Sequence, residues 1–243
     1  MKTKSSIIES KQHENKHFVF NSDFFSDASS ESFCATYWKD KGAITGQETG
    51  RGTTWFLRHE HHDLVLRHYL RGGLVSKISQ DNYLFKSLQS CRSISEFNIL
   101  YQLNALGLPV PAPAAAQVIR RGITYKADLL TQRIPNAKDL VQVLKVAQDE
   151  TFYQALGQTI ALFHQHGVYH ADLNIQNILQ DSDNKFWLID FDRAKRLKPK
   201  LKWQLSNLSR LKRSFEKEKI RYGIDWKESD WDILITAYQK AIL

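Results

Sequence analysis

Cysteine is nearly absent from this 243-residue chain: Cys34 and Cys91 are the whole supply. Two thiols so far apart form neither a zinc-ligand spacing nor a disulfide framework, which suits a reducing cytosol. Long hydrophobic runs are missing too. No uninterrupted apolar stretch approaches the roughly 20 residues of a membrane span, and the N-terminus, MKTKSSIIESKQHENKH, lacks a signal-peptide core. The periodicity shows no internal repeat. What remains is an ordinary globular composition, 42% hydrophobic and 25% charged. It suffices for one compact domain or for two lobes around a cleft.

Acidic residues are scarce in one place only. Between Lys195 and Arg221 there are eleven Lys/Arg against two acids, a local charge of +9, while the rest of the chain sums to −1. The whole excess of the +8 protein lies in that segment. Either it draws an anionic partner, nucleic acid or a membrane surface, or it is a solvated helix face.

Residues 167–194, GVYHADLNIQNILQDSDNKFWLIDFDRA, hold the chemistry. His170, Ala171 and Asp172 are followed by Asn177, five positions past the aspartate, and by Asp190 at the end of the apolar run Phe186-Trp187-Leu188-Ile189. Asp181 to Lys185 is turn chemistry and Ile178-Leu179 reads as the partner strand, so a hairpin is predicted. That hairpin brings Asn177 and Asp190 together at one end. An amide oxygen and a carboxylate are hard ligands suited to a Mg²⁺ ion that holds phosphates. Asp172, upstream, is placed to meet a hydroxyl. An ordinary hairpin with polar caps is the plain alternative.

Elsewhere, residues 1 to about 16 read as polar and disordered, and His17 to Phe20 as a short edge strand. Glu31 to Lys39 suits a short helix. Gly42, Gly46, Gly50 and Gly52 precede the strand-like Thr53 to Leu57. Glycines before a strand can let backbone N–H groups approach phosphates, or can form a plain turn. The strand Leu64 to Tyr69 carries Arg67 and ends in Arg71-Gly72-Gly73. The tract His59-Glu60-His61-His62 is taken as a polar turn rather than a zinc site, since alternate strand residues face opposite ways.

Arg92 to Leu106 is predicted helical, ended by Gly107, with Glu96 beside its apolar face. Pro109, Pro111 and Pro113 begin an extended segment. Tyr125 to Ile134 is a strand-like run that reaches a hinge near 132–138. A helix over 151–166 delivers the chain, through Gly167, into His170. Leu201, Leu205, Leu208, Leu211 and Phe215 recur at helical steps, which predicts a core-facing stripe with a basic face outside. Binding of that face to anionic lipid is the sharper alternative. A last helix is expected near 229–243.

The set His170, Asp172, Asn177 and Asp190 resembles the H-x-D-x-x-x-x-N and D-F-x motifs of the protein-kinase fold, whose chemistry is positioning and charge neutralisation. The stretches GRGTTWF, LVLRHYLRGGL, SISEFNILYQLNALGLPVPAPAAA, HADLNIQNIL and LIDFDRAKR narrow the likeness. They resemble the lipopolysaccharide-core sugar kinases, most of all the Kdo (3-deoxy-D-manno-octulosonic acid) kinases of Gram-negative bacteria. The resemblance implies an α+β, two-lobed kinase-like fold, with a small mainly-β N-lobe carrying one helix and a short mainly-α C-lobe. Residues 1–30 would be an N-terminal extension, partly disordered, 31–131 the N-lobe and 132–243 the C-lobe.

The same resemblance implies ATP with Mg²⁺ and phosphorylation of the 4-hydroxyl of Kdo on a lipid A precursor. The enzyme would sit peripherally on the cytoplasmic side of the inner membrane. Asp172 would be the catalytic base, His170 a loop brace or simply a satisfied core histidine, and Asn177 and Asp190 the metal pair. Gly50 and Gly52 would lie at the nucleotide. Arg67 would take the role of the usual strand lysine, paired with Glu96, or the two form a purely structural pair.

The sequence departs from the protein-kinase pattern at three places. Ala171 replaces an arginine that meets activation-loop phosphate, Asp192 replaces the glycine of D-F-G, and no A-P-E segment occurs in the fifty-three residues after Asp190. These departures argue against a peptide substrate. A kinase for another core sugar such as heptose, a small-molecule phosphotransferase and a catalytically dead membrane adaptor are the remaining alternatives with a basic nucleic-acid-binding kinase-like protein. Trp203, Phe215 and Tyr222 make a thin stacking platform for that last reading, and no nucleic-acid partner is expected.

Overall fold

Three alanines mark the most deeply buried stretch of the first sheet. Ala114, Ala115 and Ala116 are fully buried on strand β7 (Pro113–Arg121), which pairs antiparallel with β8 (Thr124–Gln132). Side chains this small let other elements press close to both faces of the strand. The computed structural model describes residues 7–50, 52–71 and 81–243. Arg51, Gly72 and Gly73, singled out above, lie outside the described residues.

The sheet is antiparallel throughout, in the order β1 (Ile8–His13), β2 (Lys16–Asn21), β7, β8, β5 (His62–His68), β4 (Thr53–His59), β3 (Ile44–Thr49), with β6 (Tyr83–Leu84) pairing β8 off that path. Phe18, Phe20, Phe24, Phe25, Phe33, Trp38, Leu57, Leu64, Leu66 and Leu130 form one hydrophobic cluster. Each fully buried side chain of this size contributes about 1.5–3 kcal/mol. A 3₁₀ turn at Ser30–Phe33, capped by Ser29, and the short α1 (Ala35–Asp40) stand where one helix is predicted.

Two expectations for the N-terminus are corrected. Ile8–His13 is a strand, although only Ile8 and Lys11 of it are even half-buried. Its order comes from the backbone ladder to β2, which leaves no hydropathy signal. The segment around His17–Phe20 is consequently an interior strand, flanked by β1 and β7, and not an edge. His59 and His62 pair across a two-residue turn, with their rings against Phe25 and Phe24 at 4.6 Å.

The chain divides into two compact units, Met1–Tyr101 with Pro111–Arg133, and Gln102–Val110 with Ile134–Leu243. Helix α2 (Arg92–Ala105) ends at Gly107, whose φ of 74° is the left-handed conformation that glycine adopts freely. The second unit contains β9 (Lys138–Asp139), α3 (Leu140–Val143), α4 (Glu150–Gln165), β10 (Val168–Tyr169), β11 (Ile178–Gln180), β12 (Phe186–Leu188), β13 (Lys195–Arg196), α5 (Leu201–Tyr222) and α6 (Glu228–Ile242). Asp149 caps α4 by accepting from the Phe152 N–H at 3.0 Å. Gly157 lets α6 approach α4: a Cβ there would stand 2.3 Å from the Leu234 carbonyl oxygen.

Helix α5 departs from the predicted stripe. Leu208, Leu211 and Phe215 are buried as expected, but Leu201 is 69% and Leu205 50% exposed. The buried set on α5 is instead Gln204, Asn207, Leu208, Leu211, Ser214, Phe215 and Glu218. The face is helical in period yet half polar, and the reason lies in what it holds. Among the described residues no helix is long and apolar enough to cross a membrane.

Candidate active site

Helix α4 ends at Gly167, whose φ of 71° turns the chain; a Cβ there would meet the Leu197 carbonyl oxygen at 2.2 Å. Only glycine satisfies both the dihedral and the contact. Strand β10 then pairs with β13 and delivers His170. This ring is 1% exposed. Its Nε2 donates to the Ile189 carbonyl at 2.9 Å and its Nδ1 accepts the Asp172 backbone N–H at 3.2 Å, which fixes the neutral tautomer. Burial holds its pKa below the ordinary histidine value. His170 therefore ties Asp172 to the start of the Asp190 segment, as a brace and not as a proton carrier.

Asp172 itself is half-exposed, its side chain at 52%. Its backbone carbonyl accepts from Asn174 Nδ2 at 2.9 Å and from Asn177 Nδ2 at 3.0 Å, so the main chain is held while the carboxylate stays accessible. Asn174 also caps a 3₁₀ turn, Ile175–Asn177, by accepting from the N–H groups of Gln176 and Asn177.

The predicted hairpin forms as β11–β12, with Ile178 opposite Leu188, and the Ile189 N–H donates to the Asn177 carbonyl at 3.0 Å. Asp181 builds its turn by accepting from Asp183, Lys185 and Trp187. Asp190 follows at a left-handed φ of 60°. His170, Asp172, Asn177 and Asp190 are thus assembled by one loop and one hairpin. Asn177 commits its amide nitrogen to Asp172, so its ligand capacity is in the oxygen. That oxygen and the Asp190 carboxylate are donors of the hard kind that Mg²⁺ takes.

The first unit assembles the other predicted residues. Arg67 of β5 and Tyr69, just past the end of that strand, both reach Glu96 of α2, which is 3% exposed. Arg67 Nη2 lies 2.5 Å from Glu96 Oε2. Gly50 and Gly52 close the β3–β4 turn through the Gly50 N–H and the Gly52 carbonyl, 2.9 Å apart. A Cβ on Gly52 would press on the Leu70 side chain at 2.5 Å.

Sequence reasoning missed three residues of α5. Asn207 pairs with both backbone groups of His170, Arg210 Nη1 meets Asp172 Oδ1 at 3.1 Å, and Ser214 Oγ accepts the Ile175 N–H at 3.1 Å. The signal was there: Asn207 and Ser214 sit next to Leu208, Leu211 and Phe215 on the buried side of the helix, where a polar side chain needs a partner.

The model of the lipopolysaccharide kinase (Kdo/WaaP) family matches residues 35–238. The chain belongs to that family. Family members similar to it include the "3-deoxy-D-manno-octulosonic acid kinase" of Vibrio parahaemolyticus, 44% identical over 232 residues, which cover 95% of this chain and 97% of the relative. The protein of the same name from Vibrio vulnificus is 42% identical over 236 residues, 96% and 99% of the two chains. That of Haemophilus influenzae is 41% identical over 239 residues, 94% and 98%. This family member is an ATP-dependent kinase.

Proposed function

We propose that this kinase transfers the γ-phosphoryl group of ATP to the 4-hydroxyl of a Kdo residue on a lipid A precursor, in lipopolysaccharide biosynthesis. The observation that carries the reading is Asp172: a carboxylate left half-exposed while its backbone is held by His170, Asn174 and Asn177. Relatives that match nearly the full chain are named for the Kdo kinase reaction.

In this reading the fold is two-lobed and kinase-like, with the residues proposed as an N-terminal extension, 1–30, joining 31–131 in the N-lobe through β1 and β2, and 132–243 the C-lobe. Asp172 orients the sugar hydroxyl and accepts its proton as the phosphoryl group arrives. His170 holds the loop. Asn177 and Asp190 would hold Mg²⁺, which neutralises phosphate charge when bound. Arg67, fixed by Glu96, contributes a guanidinium suited to phosphate oxygens. Gly50 and Gly52 keep the β3–β4 turn narrow beside the nucleotide.

The acceptor is a lipid, and the start of α5 suits work at a membrane. Leu197, Leu201 and Leu205 are exposed beside Lys195, Arg196, Lys198, Lys200 and Lys202. Apolar side chains among lysines favour an anionic interface, with about 1 kcal/mol per suitably placed cation. We place the enzyme peripherally on the cytoplasmic side of the inner membrane. Flotation with anionic vesicles across a salt series tests the placement, and binding indifferent to salt rejects it.

For the reaction, the test is mass spectrometry of Kdo-lipid A precursor incubated with the enzyme and Mg²⁺-ATP. One added phosphate on the Kdo, located at O4 by NMR, is expected. Transfer to a heptose-terminated acceptor instead would replace the substrate assignment.

A further inference from the structure

The pair Arg210–Asp172 has no stability argument behind it. Both side chains are about half exposed, 47% and 52%, and ion pairs in that setting stabilise little. Nor does the loop need it for shape. Asn207, one turn before Arg210, and Ser214, one turn after, already pin the backbone at His170 and Ile175. Arg210 instead puts a cation against the carboxylate that receives the acceptor hydroxyl.

The contact with Asp172 runs through one nitrogen, Nη1. A guanidinium carries five N–H donors in a rigid fork shaped for carboxylates, so it can serve a second anion while still touching the first. Arg213 and Lys217, both exposed, continue the same side of α5 and add to the positive field.

The acceptor chemistry supplies such an anion. A 3-deoxy-octulosonic acid carries its carboxyl on C2, two ring carbons from C4. A hydroxyl at C4 that meets Asp172 therefore brings a carboxylate within a few ångströms of the same place. We infer that Arg210 recognises the carboxylate of the acceptor sugar, with Asp172 keeping the guanidinium aimed until the sugar arrives. The inference rests on the Kdo reading above. It makes Arg210 a specificity residue: neutral heptoses lack the group it takes.

The experiment compares two acceptors, the Kdo-lipid A precursor and the same lipid with its Kdo carboxyl methyl-esterified, with wild type, Arg210→Gln and Arg210→Lys. Arg210→Gln is expected to raise KM for the acid roughly ten- to hundredfold, the worth of a charge-assisted pair. KM for ATP should change little, and the loss on the ester should be much smaller than the loss on the acid. Arg210→Lys should recover part of the loss on the acid alone, which also guards against a misfolded glutamine variant. Equal losses on acid and ester overturn the inference and leave Arg210 serving Asp172 only. Unchanged KM for the acid overturns it as well. A wild-type enzyme that phosphorylates neither acceptor removes the Kdo reading itself, and with it the basis of the inference.

Discussion

Asn207 grips His170 by both backbone atoms: its Nδ2 donates to the His170 carbonyl at 3.0 Å and its Oδ1 accepts the His170 N–H at 3.2 Å. All four groups are buried, so each bond replaces one that water cannot supply. Asn207→Leu keeps the volume but strands both backbone groups. A loss of about 2–4 kcal/mol in urea unfolding is expected, with a fall in kcat because the loop before Asp172 loosens. Stability within about 0.5 kcal/mol of wild type, the size of an ordinary surface change, would contradict the assignment.

Asp172 and Asp190 should fail differently. Asp172→Asn keeps the fold and removes the proton acceptor, so kcat should drop about 10²–10⁴-fold with KM for ATP nearly unchanged. Asp190→Ala should raise both the Mg²⁺ requirement and KM for ATP. If Asp190→Ala changed only KM for the acceptor, the metal role would be wrong.

Arg67 can be tested against the buried carboxylate it faces. Arg67→Ala takes the Arg67 cation from Glu96, 3% exposed, and a destabilisation of about 1–3 kcal/mol is expected. Arg67→Lys keeps the charge, so stability should be mostly retained while KM for ATP rises. An unchanged ATP response in Arg67→Lys would make the pair purely structural.

Two histidines should respond to pH with opposite sign. His68 is bonded to Asp128 Oδ1 at 2.6 Å and approaches Asp81, itself paired with Lys126. The bond to Asp128 raises its pKa above 6.5 despite the opposing effect of burial. Its contribution is therefore full below 6.5 and is lost as pH rises through the folded value. His164, buried against Trp203 and bonded to Tyr238, is pushed down to about 4 by burial. It contributes stability above 6.5 that is lost as pH falls towards 4. Urea unfolding from pH 8 to 5 should show His68→Asn losing stability on acidification more steeply than wild type. Parallel profiles would remove His68 from the balance.

Gly157→Ala is the smallest change with a large expected cost. The added methyl would stand 2.3 Å from the Leu234 carbonyl and 3.1 Å from the Tyr238 nitrogen. Neither is a side chain that can swing away, so α4 and α6 must separate, at about 1–3 kcal/mol. Thermal unfolding measures it; a neutral result would mean that the helices can shift freely.

The hairpin from Ile178 to Leu188 was legible because turn chemistry at Asp181–Lys185 and an apolar run on each side leave one register. His170, Asp172, Asn177 and Asp190 stood out in the sequence because one loop and that hairpin carry all four within twenty-one residues. Arg210 was not: thirty-eight residues separate it from Asp172, and an arginine in a basic helix looks like its neighbours until the helix is placed. Strand β1 was hidden for another reason. Its pairing runs mainly through the backbone, and polar side chains on an outer strand carry no periodic hydrophobic mark.

The helix whose outer surface is most cationic is also the one that grips the loop beneath it, through Asn207, Arg210 and Ser214. The membrane attachment proposed above and turnover would therefore share one rod, and neutralising its lysines and arginines wholesale would confuse the two. Charge swaps at Lys198, Lys200 or Lys202, which are exposed at the start of the helix, separate adhesion from chemistry. A change at Arg210 never will.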